Sequence, residues 1–422
     1  MQLVKSEEDN YLIGNPKITF FKVVYHRHSN FAMESIEIPL NSEPTVNESK
    51  ITSIIPKSAD LLHKMHYDIF FQPTTMGTIS NWTNWTNATG YAYIKEISIE
   101  LGSQQIDKHY SEWFDIWNEL TDVNMNAHKL VNKHEGEYLT GNQDGVPPKL
   151  QMYVPLQFWF CKHPGLALPL ISLQNIDVKL ITTFRKLDYL LNCDGTASAN
   201  QTENPTVKLY GDFIYLDTDE RRKFSIEPQE YLIEQVQYLQ PQSLASTHNL
   251  DFNHHVKEII WVCRDSRLGE IDPTSGADSV NAPLNVPGGT FGKGNDYFNY
   301  TISATNTNPE YIYGITSHEH FNTATITIEG SNRFSPRKAS YFRNLQHYNH
   351  HSSISKKGIY VYSFALNPEE YQPTGFINFS KLNNVNLELT NPITSNMEII
   401  IFAVNYNVLK ISDGYGGLAY VS

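Results

Sequence analysis

Apolar and polar positions alternate over short runs along most of the chain, and this pattern predicts β-strands. The runs are rich in Ile, Val, Tyr and Phe and are separated by clusters of Pro, Gly and Asn. Many short strands with turn residues between them are typical of a β-sandwich or barrel. The predicted strands are Ile18–Tyr25, His66–Phe71, Tyr93–Leu101, Asp177–Thr183, Val207–Leu216, Glu258–Val262, Thr325–Glu329, Ile359–Leu366, Asn386–Thr390 and Met397–Tyr406.

One segment, Ser111–Thr121, has the spacing of an amphipathic helix. Trp113, Trp117 and Leu120 recur there at intervals of three and four residues, so they share one helical face. Because segments of helical period are otherwise almost absent, the pattern disfavours a parallel α/β fold and predicts an all-β one.

Two short sequences recur in the same order and indicate internal repetition. ISIELGS at 97–103 is similar to ITIEGS at 326–331, and NIDVKL at 175–180 is similar to NVNLEL at 384–389. Two ordered matches predict two copies of one β-rich domain. The alternative is chance similarity between strand-like sequences.

Charged residues cluster between the two predicted copies, and Pro228 interrupts the strand pattern there. This composition predicts a linker of about ten residues. We therefore expect an N-terminal arm and first domain over 1–217, a linker over 218–229, and a second domain with a C-terminal tail over 230–422. A chain of 422 residues is long enough for two such domains.

Composition narrows the classes of function. The net charge of −13 disfavours bulk binding to DNA, because phosphate neutralisation needs a basic face. The segments 73–90 and 264–310 are rich in Thr, Asn, Gly and Pro and are predicted to be long surface loops.

The three cysteines, Cys161, Cys193 and Cys263, are sparse and widely spaced, so we interpret them as buried free thiols. The N-terminus lacks the apolar core of a signal peptide, and no apolar run is long enough to span a membrane.

Histidine pairs are the only candidates for metal chemistry, and their spacing argues against it. His26 and His28 would share one face of a strand with Glu34 beyond them, and His318 and His320 form a second pair. Both pairs depart from the spacing of known HxH…E metal motifs, so we interpret them as surface or interface histidines. No motif of a hydrolase, kinase or phosphate loop is present. We therefore expect no enzymatic activity and no cofactor.

Asn-x-Ser/Thr sequons are frequent in this Asn- and Thr-rich chain, and most are interpreted as coincidental. Asn87 and Asn299 lie in predicted long loops. We expect these two to be the most accessible if a glycosylation system acts on the chain.

Several long segments resemble the major capsid proteins of nucleocytoplasmic large DNA viruses, most closely the chlorella-virus type. They begin with YLIGNPKITFFKVVYHRHSNFAMESI at 11–36 and continue with LGSQQIDKHYSEWF at 101–114, MYVPLQFWFCKHPGLALPLISLQ at 152–174, NRFSPRKASYF at 332–342, GIYVYSFALNPEEYQPTGFINFS at 358–380 and NYNVLKISDGYGGLAY at 405–420. The resemblance covers nearly the whole chain. It departs at YHRH (25–28), where the family commonly has a YRRH-like run, at Ala59-Asp60-Leu61, where the family often has a GDL turn, and in the two long loops.

This resemblance implies two consecutive eight-stranded antiparallel jelly-roll β-sandwiches with few short helices. It implies a homotrimer of pseudo-hexagonal outline that tiles an icosahedral virion shell, with synthesis in the host cytoplasm. Neighbouring capsomers and minor capsid proteins are the implied partners, near an internal viral membrane and without direct contact to nucleic acid. Lys22 and Arg27 would flank the base of the sandwich and face the virion interior.

Two alternatives to a principal shell protein remain at this point. One is a related minor capsid component or scaffold of the same double jelly-roll class. The other is a jelly-roll enzyme or lectin with a metal or sugar site.

Overall fold

The computed structural model describes residues 13–72, 83–124, 126–133, 147–193, 203–266, 269–270, 295–300, 319–394 and 396–421. Within these ranges the strands follow in chain order. They are β1 Phe31–Ile38, β2 Ser49–Ile54, β3 Leu61–Phe71, β4 Thr83–Trp85, β5 Ile94–Leu101, β6 Gln104–Tyr110, β7 Leu150–Pro155, β8 Val178–Phe184, β9 Leu191–Cys193, β10 Thr206–Leu216, β11 Gln229–Ser243, β12 Thr247–Asn249, β13 His255–Asp265, β14 Thr323–Ile328, β15 Ser331–Asn332, β16 Arg337–Lys338, β17 Ile359–Ser363, β18 Ile377–Asn378, β19 Val385–Thr390, β20 Met397–Ser412 and β21 Tyr415–Leu418.

Short helices connect these strands. The α-helices are Thr89–Tyr93, Ser111–Thr121, His128–Val131, Trp159–Lys162, Thr218–Ile226 and Gln346–His350, and Tyr341–Leu345 is a π-helical turn. Single 3-10 turns lie at Pro164–Leu166, Leu170–Ser172, Leu187–Leu190 and Phe379–Lys381.

The first half of the chain is a sandwich of two four-stranded antiparallel sheets. The sheet orders are β1-β10-β3-β7 and β2-β8-β5-β6. The two sheets face each other across an apolar core in which Tyr67 of β3 meets β8. Its hydroxyl lies 2.7 Å from the Thr182 hydroxyl, and its ring packs edge-on against Phe184. Eight strands in this order form a jelly roll.

The second half repeats this arrangement. Its sheet orders are β11-β20-β13-β17 and β12-β19-β14-β15, with β16, β18 and β21 paired at the margins. Trp261 of β13 is fully buried at the centre of its core and stacks on Tyr360 of β17. The fold is therefore a double jelly roll, as the resemblance implied.

The repeated sequences occupy equivalent places in the two sandwiches. ISIEL lies on β5 and ITI on β14, each the third strand of its sheet. Residues 178–180 of NIDVKL lie on β8 and residues 385–389 of NVNLEL on β19, each the second strand. The predicted duplication is confirmed by this equivalence.

The helix Ser111–Thr121 has the predicted bounds. All of the predicted strands except the first overlap an observed strand. The prediction of a first strand at Ile18–Tyr25 is wrong, because β1 begins at Phe31 and residues 18–25 form no sheet pairing. Strand propensity gives a strand only where a partner edge is within reach. The predicted linker carries an unexpected helix, Thr218–Ile226, which Asp217 caps by accepting a hydrogen bond from the Thr218 amide.

One end of the double sandwich, here called the base, gathers several connections. β1 and β11 begin at this end, since Phe31 pairs with Leu216 at the end of β10 and Gln229 pairs with Ile411 near the end of β20. The β7–β8 and β17–β19 connections, the linker helix and the C-terminal hairpin lie at the same end. The base therefore contains the start of β1 and the C-terminal hairpin of β20 and β21.

Candidate functional site

Apolar packing between the two sandwiches makes them one block. Trp113 lies on the helix Ser111–Thr121 and contacts Phe402 of β20, with ring centroids 5.4 Å apart. Tyr110 of β6 stacks on Tyr238 of β11 at 3.9 Å. Both contacts join the first half to the second within one continuous buried cluster.

Four charged side chains are buried together at this junction. Lys133 lies 2.8 Å from Asp115 and 2.6 Å from Glu119, both on the junction helix. Lys357 of the second half lies 2.7 Å from Asp115. Burial alone would raise the pKa of Glu119, but the ammonium groups of Lys133 and Lys357 outweigh it and hold that pKa well below its usual range. The cluster therefore ties the two halves by paired charges as well as by apolar contact.

A second ionic bridge crosses the same junction. The Arg264 guanidinium on β13 donates to Glu398 at 2.6 Å and to Glu112 of the first half at 3.0 Å. Burial opposes ionisation of Glu112, but Arg264 and then Arg185 lower its pKa below the ordinary value. A planar guanidinium suits this double contact better than an ammonium would.

A cleft of about 180 Å³ opens between the halves at the base. Trp159 and His163 of the first half line it opposite Tyr371 and Tyr406 of the second. The stacked rings of His163 and Tyr371, 4.9 Å apart, bridge the halves here. The cleft combines aromatic walls with charged groups that already have partners.

Glu234 lines this cleft together with two other charged residues, Lys162 and Glu369. Lys162 lies 2.7 Å from Glu234, and Lys257 also donates to Glu234. Burial raises the pKa of Glu234, but Lys162 and Lys257 together lower it below the ordinary value. Because both lysines already satisfy the carboxylate, the cleft offers no unpaired charge for a ligand.

His351 lies between two carboxylates in the second half. Its Nε2 is 3.1 Å from Glu258 and its Nδ1 is 3.0 Å from Glu369. Burial lowers the pKa of His351, but Glu258 and Glu369 outweigh that effect and raise it to about 9. The neighbouring His347 has no such partner, and burial lowers its pKa to about 3. The pair places one charged and one neutral imidazole side by side.

The C-terminal hairpin fastens the second half onto the first. Asn175 donates from its backbone amide to Gly414 at 2.9 Å, and the Leu418 amide donates to Gln104 at 3.1 Å. A Cβ at Gly416 would lie 2.7 Å from Leu173, which is closer than real contacts allow. The glycine-rich GYGGLAY segment is thus explained by close backbone approach to the first half.

The N-terminal arm, residues 13–30, leaves the base as an exposed segment. Its apolar side chains face solvent, including Phe20 at 89%, Phe21 at 98% and Val23 at 94% exposure. Lys22 and Arg27 are exposed on the same arm. Which groups they contact in an assembly stays a prediction.

The two candidate glycosylation sites have different surroundings. Asn299 is only 7% exposed, and its Nδ2, the atom to which a sugar would attach, donates to Asp296 at 2.8 Å. Its expected accessibility is therefore wrong for the folded chain. Asn87 is half-buried, and the hydroxyl of its sequon residue Thr89 donates to the Thr86 carbonyl. Whether either carries sugar stays a prediction.

The histidine pairs do not form a metal centre in the described part of the chain. His26 and His28 lie on the exposed arm, and Nδ1 of His28 contacts the Ser29 carbonyl. His320 is buried against the Tyr360 hydroxyl at 3.0 Å, while His318 lies outside the described residues. Among the described residues no group of three or more potential ligands is positioned for a metal ion. No helix in those same ranges is long and apolar enough to cross a membrane.

Sequence reasoning missed the residues that hold the junction. Lys133 and Lys357 lie in connections that are typical of solvated charge, and nothing local distinguishes them. The one available signal was the carboxylate pair Asp115 and Glu119 at i and i+4 on the apolar helix. Acidic groups on a buried face require cationic partners.

Known protein families and solved structures match this chain over nearly its whole length. Residues 19–217 match the family described as "Major capsid protein N-terminus", and residues 220–417 match "Large eukaryotic DNA virus major capsid protein". In structure, the chain is similar to the PBCV-1 virus capsid in a quasi-atomic model, with a TM-score of 0.75, 31% identity, and coverage of 96% of this chain and 100% of the other. Faustovirus major capsid protein shares the fold at a TM-score of 0.70 and 13% identity, covering 97% and 94%.

The double jelly roll with its fused junction is therefore the fold of viral major capsid proteins, which are structural shell proteins and not enzymes. Among curated relatives, the major capsid protein of Pyramimonas orientalis virus is 39% identical over 100% of this chain and 98% of its own length. That of Paramecium bursaria Chlorella virus 1 is 34% identical over 98% and 97%. The chain belongs to the family of major capsid proteins of large eukaryotic DNA viruses.

Proposed function

We propose that this chain forms a homotrimeric capsomer of pseudo-hexagonal outline, and that such capsomers tile the icosahedral shell of a large double-stranded DNA virus. The observation that carries the proposal is the rigid pairing of two equivalent jelly rolls in one chain. Three such chains present six similar sandwiches around a threefold axis. A block with six similar corners packs with near-sixfold symmetry on a surface.

The base is proposed to face the virion interior. Lys22 and Arg27 on the exposed arm then meet acidic groups at the inner face, where the resemblance to the family also implies minor capsid proteins and a nearby internal membrane. The long loops predicted over 73–90 and 264–310 would face outward or wrap neighbouring subunits. We propose synthesis in the host cytoplasm, with Asn87 as the glycosylation site, since the burial of Asn299 disfavours a sugar there.

The solution mass of the purified full chain tests the trimer. One chain is 48.3 kDa, and we expect a species near three times that mass, roughly 145 kDa, which persists on dilution because an obligate interface holds it together. Such an interface buries more than about 2,000 Å². A clean monomer at micromolar concentration by light scattering would contradict the proposal.

Alanine substitution of both Lys22 and Arg27 tests the orientation. We expect shells assembled from this variant to retain less minor capsid protein, while the trimer mass stays unchanged. Unchanged shell assembly and unchanged retention of minor capsid protein would refute the proposed inner-face contacts. Intact mass spectrometry of protein from virions checks the sugars, because each glycan adds a discrete mass to the chain.

A further inference from the structure

The arm segment Ile18–Tyr25 has the composition of a strand buried on both faces, yet it lies in solvent. Alternate positions put Phe21, Val23 and Tyr25 on one side and Phe20 and Val24 on the other, all at least 68% exposed. The hydrogen bonds within the described arm are local, such as the one that the Phe21 amide donates to the Thr19 hydroxyl. Exposed apolar stretches of this size mark interaction surfaces. The disagreement between sequence pattern and structure therefore points to a partner outside the chain.

Strand β1 is an edge with room for one more strand. In the described part of the chain β1 pairs with β10 alone, which leaves its outer backbone edge open. Its first five residues are exposed, so neither face is covered there. Phe31 is 51% exposed and Met33 is 48% exposed. An open edge with apolar side chains on it is a template for an added strand.

The arm and the edge are complementary in charge and lie at the same end of the molecule. From residue 13 to residue 33 the cations Lys17, Lys22 and Arg27 occur with no carboxylate. β1 carries Glu34 and Glu37 and no cation, and Glu37 already pairs with Lys208 of β10 at 3.1 Å. The acidic residues at 7–9 precede this basic part of the arm.

We infer that Ile18–Tyr25 of one copy adds as a strand to the free edge of β1 in a neighbouring copy, with its cations near Glu34. This inference rests on the proposed trimer, and it names a second copy as the acidic partner of Lys22 and Arg27. Pairing within one chain would need a reversal just before β1, but residues 23–30 contain no turn or bend. The turn at residues 20–22 lies inside Ile18–Tyr25 and must straighten when the strand is added. Residues 13–30 can span roughly 60 Å when extended, which is enough to reach a neighbour.

Disulfide trapping between two proteins, each with one added cysteine at an exposed position, tests the pairing. Val23→Cys and Ser35→Cys are each exposed positions, one on the arm and one on β1. When the two proteins are mixed and assembled, a disulfide between these sites can only join different chains. Ser42→Cys, exposed beyond the far end of β1, is the matched control. We expect at least about tenfold more cross-link with Ser35→Cys than with Ser42→Cys, because only β1 is within reach of the added strand.

A proline variant tests whether backbone pairing is responsible. Val23→Pro removes a ladder donor and is not tolerated inside a sheet, whereas Val23→Thr keeps a β-branched side chain. In hydrogen exchange on the assembled protein, we expect roughly tenfold loss of protection over residues 18–25 for Val23→Pro and little change for Val23→Thr. Equal protection in the two variants would overturn the inference.

Other occupants give different outcomes. A cross-link that forms only when both cysteines are on one chain would show a hairpin within the chain and overturn the inference. Arm-dependent binding to phosphatidylserine vesicles, without cross-linking in the trimer, would assign the arm to a lipid surface instead. A monomeric mass by light scattering would refute the proposed function itself, whereas a stable trimer without cross-link would refute only the arm pairing.

Discussion

Lys357→Met should destabilise the junction between the two sandwiches. The lysine is 11% exposed and lies 2.7 Å from Asp115, whose side chain is fully buried. Removing one partner of a buried pair costs about 3–5 kcal/mol, because the other charge stays buried. Lys133 remains beside Asp115, so we expect a loss at the lower end, about 3 kcal/mol.

Equilibrium urea unfolding of the full chain measures this loss. Trp113 and Trp117 lie at the junction, so tryptophan fluorescence reports on it, and wild type and variant are compared at one protein concentration. Lys410→Met is the control, since its pair with Glu230 is 57% and 64% exposed. Such surface pairs contribute about 0–1 kcal/mol.

A double variant separates lost attraction from lost packing. If Lys357 acts through Asp115, then Lys357→Met combined with Asp115→Asn costs less than the sum of the two single changes. A loss below about 1 kcal/mol for Lys357→Met, or strict additivity of the two changes, would refute the argument that paired charges hold the halves together.

Three further changes test other parts of the structure. The pKa of His351 is about 9 in the folded chain and near 6.5 in the unfolded chain, so the charged imidazole stabilises the fold. This stabilisation is fully present below pH 6.5 and is lost as the pH rises through about 9. Wild type should therefore lose about 2 kcal/mol between pH 7 and pH 9 in urea titrations, and His351→Gln should flatten this slope; equal slopes would contradict it. Gly416→Val should clash with Leu173, cost about 1–3 kcal/mol and expose the C-terminal hairpin to limited proteolysis; unchanged cleavage would count against the clash. Asn299→Gln should lower stability by about 1–3 kcal/mol in thermal melts, because it disturbs a buried hydrogen bond, while Asn47→Gln at an exposed sequon should have little effect; matching melts would dismiss the difference.

The pattern of apolar positions predicted most of the fold because its causes are local. Alternation is visible in each strand, and the spacing of Trp113, Trp117 and Leu120 is visible in the helix. The repeat could be detected in the sequence because equivalent strands, such as β5 and β14, have similar surroundings in the two sandwiches. Local pattern also explains the error at Ile18–Tyr25, since strand propensity does not say whether a partner edge exists in the same chain.

The junction charges could not be predicted for a different physical reason. Lys133 and Lys357 are far apart in sequence, and their burial follows from how two finished sandwiches dock. A lysine in a connection is ordinarily solvated, so only the docked structure shows that these two neutralise Asp115 and Glu119. The exposure of Asn299 was misjudged for the same reason, because loop composition does not reveal what the loop packs against.

Paired charges have a specific value at a junction between two similar sandwiches. Apolar contact such as that of Trp113 with Phe402 is non-directional, so it resists separation but tolerates sliding. The contacts of Lys357 with Asp115 and of Arg264 with Glu112 have fixed geometry and are satisfied in one relative position only. In the proposed capsomer, a rotation of one half against the other would change the outline that neighbours must match. The buried ion pairs therefore serve the shape of the block more than its net stability, since a buried pair gains little over apolar packing.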